Sequence, residues 1–356
     1  MIVSYKFRIK DASSKRHLAK LAVAANQVWN FCVATQKEAE RRWRGGVKIK
    51  WPTHFDLTYL TFGCNKELGI MTGTVGEVCR QFVQSRNTNK SCPNFRASFG
   101  GKAALGWVPF RSNSFQLKQS GIRYNRRIYR FWKSREIPAD IKTGAFVCDA
   151  RGRWFITFQC EVPEDGNCGN GKIGIDLGLK SIVATSDGEA IEAPQIFRRY
   201  EANLALAQRS KNKRQVRAIH AKIVASRKDF LHKLSTRLVR ENSFIALGNV
   251  SASQLGKTKM AKSIYDAGWG ELGTLLAYKA RRHQAVFVKV DERFTTQTCS
   301  SCGSMPTERP KGIAGLGMRE WSCSDCGVTH NRDTNAAMNI LRLGLERQAL
   351  VEGMAA

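Results

Sequence analysis

The chain has 356 residues, of which 42% are apolar, enough to bury two or three cores and unlike a disordered polyelectrolyte. Its 58 Lys and Arg against 29 Asp and Glu give a formal charge of +29 and a pI near 10.1, which leaves nucleic acid or an anionic membrane as the natural polyanionic partner. No apolar run reaches the ~18 residues of a membrane span, and Met1 to Lys10 alternates apolar and basic residues unlike a signal peptide. Nucleic acid is therefore the expected partner, no membrane is expected, and the cytoplasm is the expected compartment.

In chain order, residues 1–10 read as a strand by period-two alternation. From Ser14 the period becomes helical, with Leu18, Leu21, Ala22, Ala25, Val28, Trp29, Cys32 and Val33 on one face. Pro52 permits a further helix over His54–Leu60, and another is expected from Thr74 to Arg86. Strands are expected at Leu105–Phe110, Ser114–Lys118, Ile122–Trp132, Ala145–Cys148 and Trp154–Val162, which together suggest a small antiparallel barrel with the helical block inserted. Arg123, Arg126, Arg127, Arg130 and Arg135 lie there among Tyr124, Tyr129, Phe131 and Trp132. That mixture suits phosphate contact with base stacking, and it equally suits a solvated basic face over an aromatic core.

The turn-forming run Pro163 to Gly171 is the clearest domain boundary. Beyond it, two strands flank Asp176-Leu-Gly178, and a long basic helical region, Arg198 to Arg240, carries Lys211, Lys213 and Arg214. A strand at Ser243–Leu247, a helix over Lys262–Arg282 and a strand at Ala285–Val290 follow, and a helix from Asp333 to about Leu345 closes the chain.

Cys299 and Cys302 form one CxxC knuckle, and Cys323 and Cys326 form a second after twenty intervening residues. Two thiolate pairs at that separation read as a zinc ribbon, and a closed four-thiolate shell is structural rather than catalytic. The other seven cysteines are scattered and read as reduced thiols. Strand–Asp–x–Gly, a further strand and a distant Asp on a late helix match a ribonuclease-H-like arrangement, in which carboxylates converge on two Mg2+ ions. Taken alone, Asp176 also fits a turn residue and Asp333 a helix N-cap.

Gly174-Ile-Asp-Leu-Gly178, Asp229-Phe-Leu-His-Lys-Leu-Ser-Thr236, the two knuckles and Asn331-Arg-Asp-Thr-Asn-Ala-Ala-Met-Asn-Ile340 together resemble TnpB, the transposon-encoded relative of compact type V CRISPR nucleases. The resemblance covers about residues 172–345. It implies an α/β multidomain protein: a wedge, oligonucleotide-binding-like β-barrel (1–12 and 101–163), an inserted helical recognition domain (13–100), a RuvC-like nuclease domain (172–298 and 327–356) and a zinc ribbon (299–326). It further implies a guide RNA, a target DNA cut beside a short flanking motif, Mg2+ or Mn2+ in the nuclease site and structural Zn2+. The basic region around Lys211, Lys213 and Arg214 and the Arg/aromatic barrel, with Arg123, Arg126, Arg127, Tyr129 and Arg130, would hold nucleic acid.

One departure stands out. The family's second acid is usually a Glu at the end of the strand matching Phe244–Val250, where Ala246 stands here. Glu292 is the expected replacement, because period two continues the side of Val286, Val288 and Val290 to it. Asp176, Glu292 and Asp333 are then the expected catalytic metal ligands, with Asp266 and Glu271 as weaker substitutes. Alternatives are a compact type V CRISPR effector with the same chemistry, a nuclease-dead RNA-guided repressor, and a recombinase that joins DNA ends. The oligomeric state is not legible in the sequence.

Overall fold

Alternating strand and helix periods give, in the computed structural model, two compact units, Met1–Val162 and Pro163–Ala356. The structure describes residues 1–119, 121–164, 166–250, 261–311 and 314–355.

In the first unit, β1 (Ile2–Arg8), β2 (Trp107–Arg111), β6 (Ile141–Cys148) and β7 (Trp154–Glu161) form an antiparallel sheet in the order β1-β7-β6-β2. A second sheet joins β3 (Phe115–Lys118), β4 (Gly121–Tyr124) and β5 (Arg127–Tyr129). The strand expected over Ile122–Trp132 is thus a hairpin. Asn125 and Arg126 both take positive φ, 46° and 61°, and fold it back at a two-residue turn. The two sheets meet at the Ile9–Phe131 bridge and through facing rings, with Phe110 against Tyr124 at 5.6 Å and Tyr129 against Phe146 at 4.9 Å.

The helices between β1 and β2 follow the apolar stripe. In α1 (Ala12–Arg44), all of Leu18, Leu21, Ala22, Ala25, Val28, Trp29, Cys32 and Val33 are buried. Asp11 caps its start by accepting the Ser14 N–H at 2.6 Å. In α2 (His54–Leu60) Thr53 and Asp56 make a reciprocal capping box, and α3 (Cys64–Leu68) leads into α4 (Thr72–Asn89). Polar pins hold this block to the sheets. His17 Nδ1 lies 2.6 Å from the Tyr129 hydroxyl, Thr74 bonds the Tyr124 hydroxyl, and buried Glu77 accepts from Arg80 and Arg111.

These contacts correct one expectation. Tyr129 is fully buried, its phenol pushed above its ordinary range by desolvation, so it packs the aromatic core and presents no face to a base. The same holds for Tyr124 and Phe131, whereas Trp132 is exposed under the Lys10 ammonium. Period-two alternation does place these side chains on one face, but that face is the inner one.

In the second unit, β8 (Gly171–Asp176), β9 (Ser181–Thr185), β10 (Ala190–Glu192), β11 (Asn242–Gly248) and β12 (Val286–Val290) form one sheet in the order β10-β9-β8-β11-β12. β8, β11 and β12 are parallel, and β9 alone runs against its neighbours. The long basic region is two helices, α5 (Ile196–Arg209) and α6 (Lys213–Glu241), broken where Lys211 takes φ 54°. The helix expected over Lys262–Arg282 is likewise two, α7 (Ala261–Ala267) and α8 (Trp269–Arg282), because Gly268 takes φ 69°.

One sheet face packs on α6 and α8 through Ile173, Ile175, Ile245 and Leu247. Lys279 of α8 is buried in that contact and donates to the His232 carbonyl (2.6 Å) and to the Ser235 and Thr236 hydroxyls (both 2.7 Å). Desolvation, reinforced by Arg240, pushes the Lys279 ammonium down to about 8. The His-Lys-Leu-Ser-Thr run is therefore a cradle for a buried cation whose acceptors among the described residues include no carboxylate.

The other face carries Gly174, Phe244, Ala246 and Val290 and is covered by α9 (Arg332–Ala355). The approach is close because small residues meet. A Cβ on Gly174 would strike the Ala337 carbonyl and lie 2.7 Å from the Leu341 nitrogen, and one on Gly344 would lie 2.6 Å from Ala246 Cβ. Backbone cannot yield as a flexible side chain can, so Gly174→Ala is expected to cost about 1–3 kcal/mol, in the range of overpacked cores. Urea denaturation checks this, with an unchanged midpoint as the contrary result.

Candidate metal centre

Three acids stand at one end of that sheet. Asp176 is the last residue of β8, one beyond Ile175, which pairs with Leu247 of β11, so it is level with Gly248. Gly248 in turn pairs with Val290 of β12, and Glu292 lies two residues further on the same side. The position on β11 level with Asp176 is therefore Gly248, not Ala246. Ala246 lies deeper, under Gly344 of α9, and α9 could not approach if it were larger. The space above Gly248 is already taken: a Cβ there would lie 3.2 Å from Glu292 Oε2 and 3.0 Å from Ile340 Cδ1. Glu292 reaches over the end of the strand where the acid is missing.

Asp333 arrives from the opposite direction. The Asn331 side chain starts α9 by accepting the N–H groups of Asp333 (3.1 Å) and Thr334 (3.2 Å). Asp333 is one turn before Ala337, whose carbonyl touches Gly174. One helical turn advances about 5–6 Å and two strand residues about 6.6 Å, which carries Asp333 toward the Asp176 end of the sheet, near enough for its charge to act on Asp176. Asp333 Oδ2 accepts from Arg319 Nη1 at 2.8 Å, and Arg332 Nε stands 3.7 Å from its other oxygen.

The electrostatics register this convergence. Burial pushes the Asp176 carboxyl up to about 7, and the negative charges of Asp333 and Glu292 add to it, against a partial offset from Arg332. Burial also raises Glu292, with help from Asp291. Asp291 itself points away, exposed and paired with Arg293. Among the substitutes considered in the sequence, Asp266 is committed to the Phe197 N–H (2.9 and 3.0 Å) and Glu271 to Arg227 (3.6 Å).

The four knuckle cysteines are a tighter group. Their sulfurs all lie within 4.8 Å of one another, with Cys299–Cys326 at 3.6 Å and Cys302–Cys323 at 3.8 Å. A tetrahedron with ~2.3 Å Zn–S bonds has edges of about 3.8 Å, so the donor set fits zinc. Cys299 and Cys323 are buried, Cys302 and Cys326 exposed. His330 Nε2 lies 3.0 Å from Cys299 Sγ. The three acids are spread more widely: among the described residues no other trio of His, Cys, Asp or Glu is as compact as the cysteines. Hard carboxylates of this kind are the donors Mg2+ prefers. Asp176, crowded by two like charges in a desolvated place, fits a cation.

Of the residues expected to touch nucleic acid, Arg123, Arg126 and Arg130 are exposed, while Arg127 is half-buried and donates to Ser13 Oγ at 2.8 Å. Lys211, Lys213 and Arg214 are exposed where α5 turns into α6. Arg319, His330 and Gly248 were not singled out from the sequence. The available signal was His330 four residues after Cys326, and nothing local marks Arg319 or Gly248.

Residues 269–340 match the family described as Cas12f1-like, TNB domain, and residues 156–258 match the family OrfB_IS605, described as a probable transposase. A Streptomyces pristinaespiralis protein named "Putative RNA-guided DNA endonuclease" is 39% identical over 240 residues, 62% of this chain and 58% of that protein. InsQ of Escherichia coli K12, with the same designation, is 27% identical over 245 residues, 60% of each chain. The chain thus spans about three-fifths of the length of these relatives. In structure, the Cas12f1 chain of a Cas12f1–sgRNA–target DNA complex superposes with a TM-score of 0.58 at 13% identity, over 93% of this chain and 83% of that one. This is a likeness of fold, a mixed α/β one. No helix among the described residues is long and apolar enough to cross a membrane.

A raised carboxyl binds its proton more tightly in the native state, so stability of the metal-free protein falls as pH rises from 3.8 to about 7, through the ordinary and the native values of Asp176. Mg2+ is expected to raise the melting temperature more at pH 8 than at pH 6, where the proton competes. Thermal melts at both pH values check this, and an equal response contradicts it.

Proposed function

We propose that this chain, a relative of the TnpB group of transposon-encoded proteins and of the Cas12f1 proteins, is an RNA-guided, divalent-metal-dependent DNA endonuclease. The observation that carries the reading is the convergence of Asp176, Glu292 and Asp333 at one sheet end, with burial and like charge holding the Asp176 carboxyl at about 7. The strand order β10-β9-β8-β11-β12, with one reversed strand and α9 covering the acid-bearing face, supports a ribonuclease-H-like, RuvC-type reading of this unit. In this reading Asp176, Glu292 and Asp333 hold Mg2+ or Mn2+, which when bound activates a water and stabilises the leaving oxygen of a phosphodiester.

The chain's own residues prepare that centre. Glu292 supplies from β12 the carboxylate that β11 lacks, and Gly248 leaves it room. Arg319 and Arg332 balance Asp333 before a cation or phosphate arrives. Trp269 Nε1 donates to the Gly178 carbonyl at 3.2 Å and holds the loop after Asp176. The four cysteines hold zinc for structure. Guide RNA and target DNA are the proposed partners: base pairing reads the target, and the protein reads backbone shape and a short flanking motif. Arg123, Arg126, Arg130, Lys211, Lys213 and Arg214 are the exposed cations proposed to meet phosphates.

The fold likeness to Cas12f1 favours one second reading, a compact CRISPR effector with the same chemistry. An array beside the gene, in place of transposon ends, distinguishes the two.

Asp176→Ala, Glu292→Ala and Asp333→Ala are each expected to abolish Mg2+-dependent plasmid cleavage while leaving guide-RNA retention intact. Full cutting by Glu292→Ala protein would sink the role given to Glu292. Binding without cutting by the unaltered chain would mark it as a repressor.

A further inference from the structure

Two asparagines one turn apart on α9 are among the most deeply buried polar side chains of this unit, each 1% exposed. Asn335 Nδ2 donates to the carbonyls of Thr295 (3.1 Å) and Thr298 (2.8 Å). Asn339 Nδ2 donates to the same two carbonyls, at 2.9 and 2.8 Å. Asn335 Oδ1 also accepts the Ser300 N–H at 2.9 Å. Thr295, itself buried, closes the path by giving both its N–H (3.2 Å) and its hydroxyl (2.8 Å) to the carbonyl of Glu292. Hydrogen bonds therefore run unbroken from the backbone of Glu292, through Thr295, to the helix whose first turn bears Asp333.

Packing alone does not account for the pair. Burying an amide is costly unless its polar atoms are bonded, and Asn339 Oδ1 is buried with no hydrogen-bond partner among the described residues. A leucine there would avoid that cost, so what the amide contributes is its donors. Those donors fix the register of a loop against a helix, which apolar contact does weakly because it is non-directional. We infer that Asn335 and Asn339 are positioning residues that lock Glu292 and Asp333 together as one preassembled side of the divalent-ion site. The inference rests on the nuclease reading of those acids. It also places the backbone of the first knuckle, through Ser300, under the same control.

Each carbonyl has two donors, so removing one amide leaves both carbonyls bonded, and removing both amides strands them. The effects on ion affinity are therefore expected to be more than additive. The test is Mn2+ calorimetry on the full chain without nucleic acid, with zinc content and melting temperature measured alongside. The variants are Asn335→Ala, Asn339→Ala, their double, and Asn339→Leu, which keeps the branched side-chain shape without its donors. Unaltered protein is expected to bind Mn2+, and Asp176→Ala and Asp333→Ala to lose it. Single Asn variants are expected to weaken Mn2+ only a few-fold, and the double by more than about 10-fold, the scale of outer-shell effects on metal sites, with zinc retained. Unchanged Mn2+ affinity in folded Asn variants, with only the melting temperature lowered, would overturn the positioning role and leave the nuclease reading standing. Mn2+ binding indifferent to Asp176→Ala and Asp333→Ala would overturn the nuclease reading and the positioning role with it.

Discussion

The second unit depends on how closely one helix can lie on one sheet. Gly174 on β8, Ala246 on β11 and Gly344 on α9 bring backbone against backbone, and the acid geometry follows from that contact. With α9 seated low, its first turn comes toward Asp176, and the charge of Asp333 adds to the burial that raises the Asp176 carboxyl. The same closeness explains why β11 carries no acid under the helix. A carboxylate at 246 would collide with Gly344, and one at 248 would displace Glu292. The carboxylate instead comes from the neighbouring strand, whose parallel register delivers it two residues beyond Val290.

Three like charges in a half-buried place are unstable without a cation, and the chain tolerates this by several local means. Burial and repulsion keep a proton on Asp176 to about pH 7. Arg319 and Arg332 face Asp333. The hydrogen bonds of Thr295, Asn335 and Asn339 hold the acid-bearing segments where their own repulsion would part them. Preorganisation of this kind places the cost of assembling a charged site in folding rather than in ion binding. The four knuckle cysteines sit within the same stretch, between Glu292 and Asp333, and the segment entering them is tied to α9 by the same amides.

Much of this was legible in the sequence, for physical reasons. The stripe from Leu18 to Val33 has one period and one buried face. CxxC spacing carries its geometry with it, and Asp176 stands where a strand must end before Gly178. Period two also carried the side of β12 as far as Glu292. What was not legible depended on partners remote in sequence. Whether Ala246 or Gly248 is level with Asp176 is set by register with β8, which no single strand encodes. Tyr129 alternates correctly, but alternation does not say which face is inside. The breaks at Asn125–Arg126 and Lys211 need positive φ at residues other than glycine, for which local sequence gives weak warning. The asparagines of α9 read as a motif before the structure, and only their bonds to Thr295 and Thr298 give them a task.

The most direct measurement is an anomalous difference map from crystals of the full chain grown with Mn2+. The account predicts Mn2+ peaks bounded by the carboxylates of Asp176, Glu292 and Asp333. Mn2+ bound by Asp291 or Asp266 instead, or no peak at the three acids at saturating Mn2+ above pH 7, would contradict it.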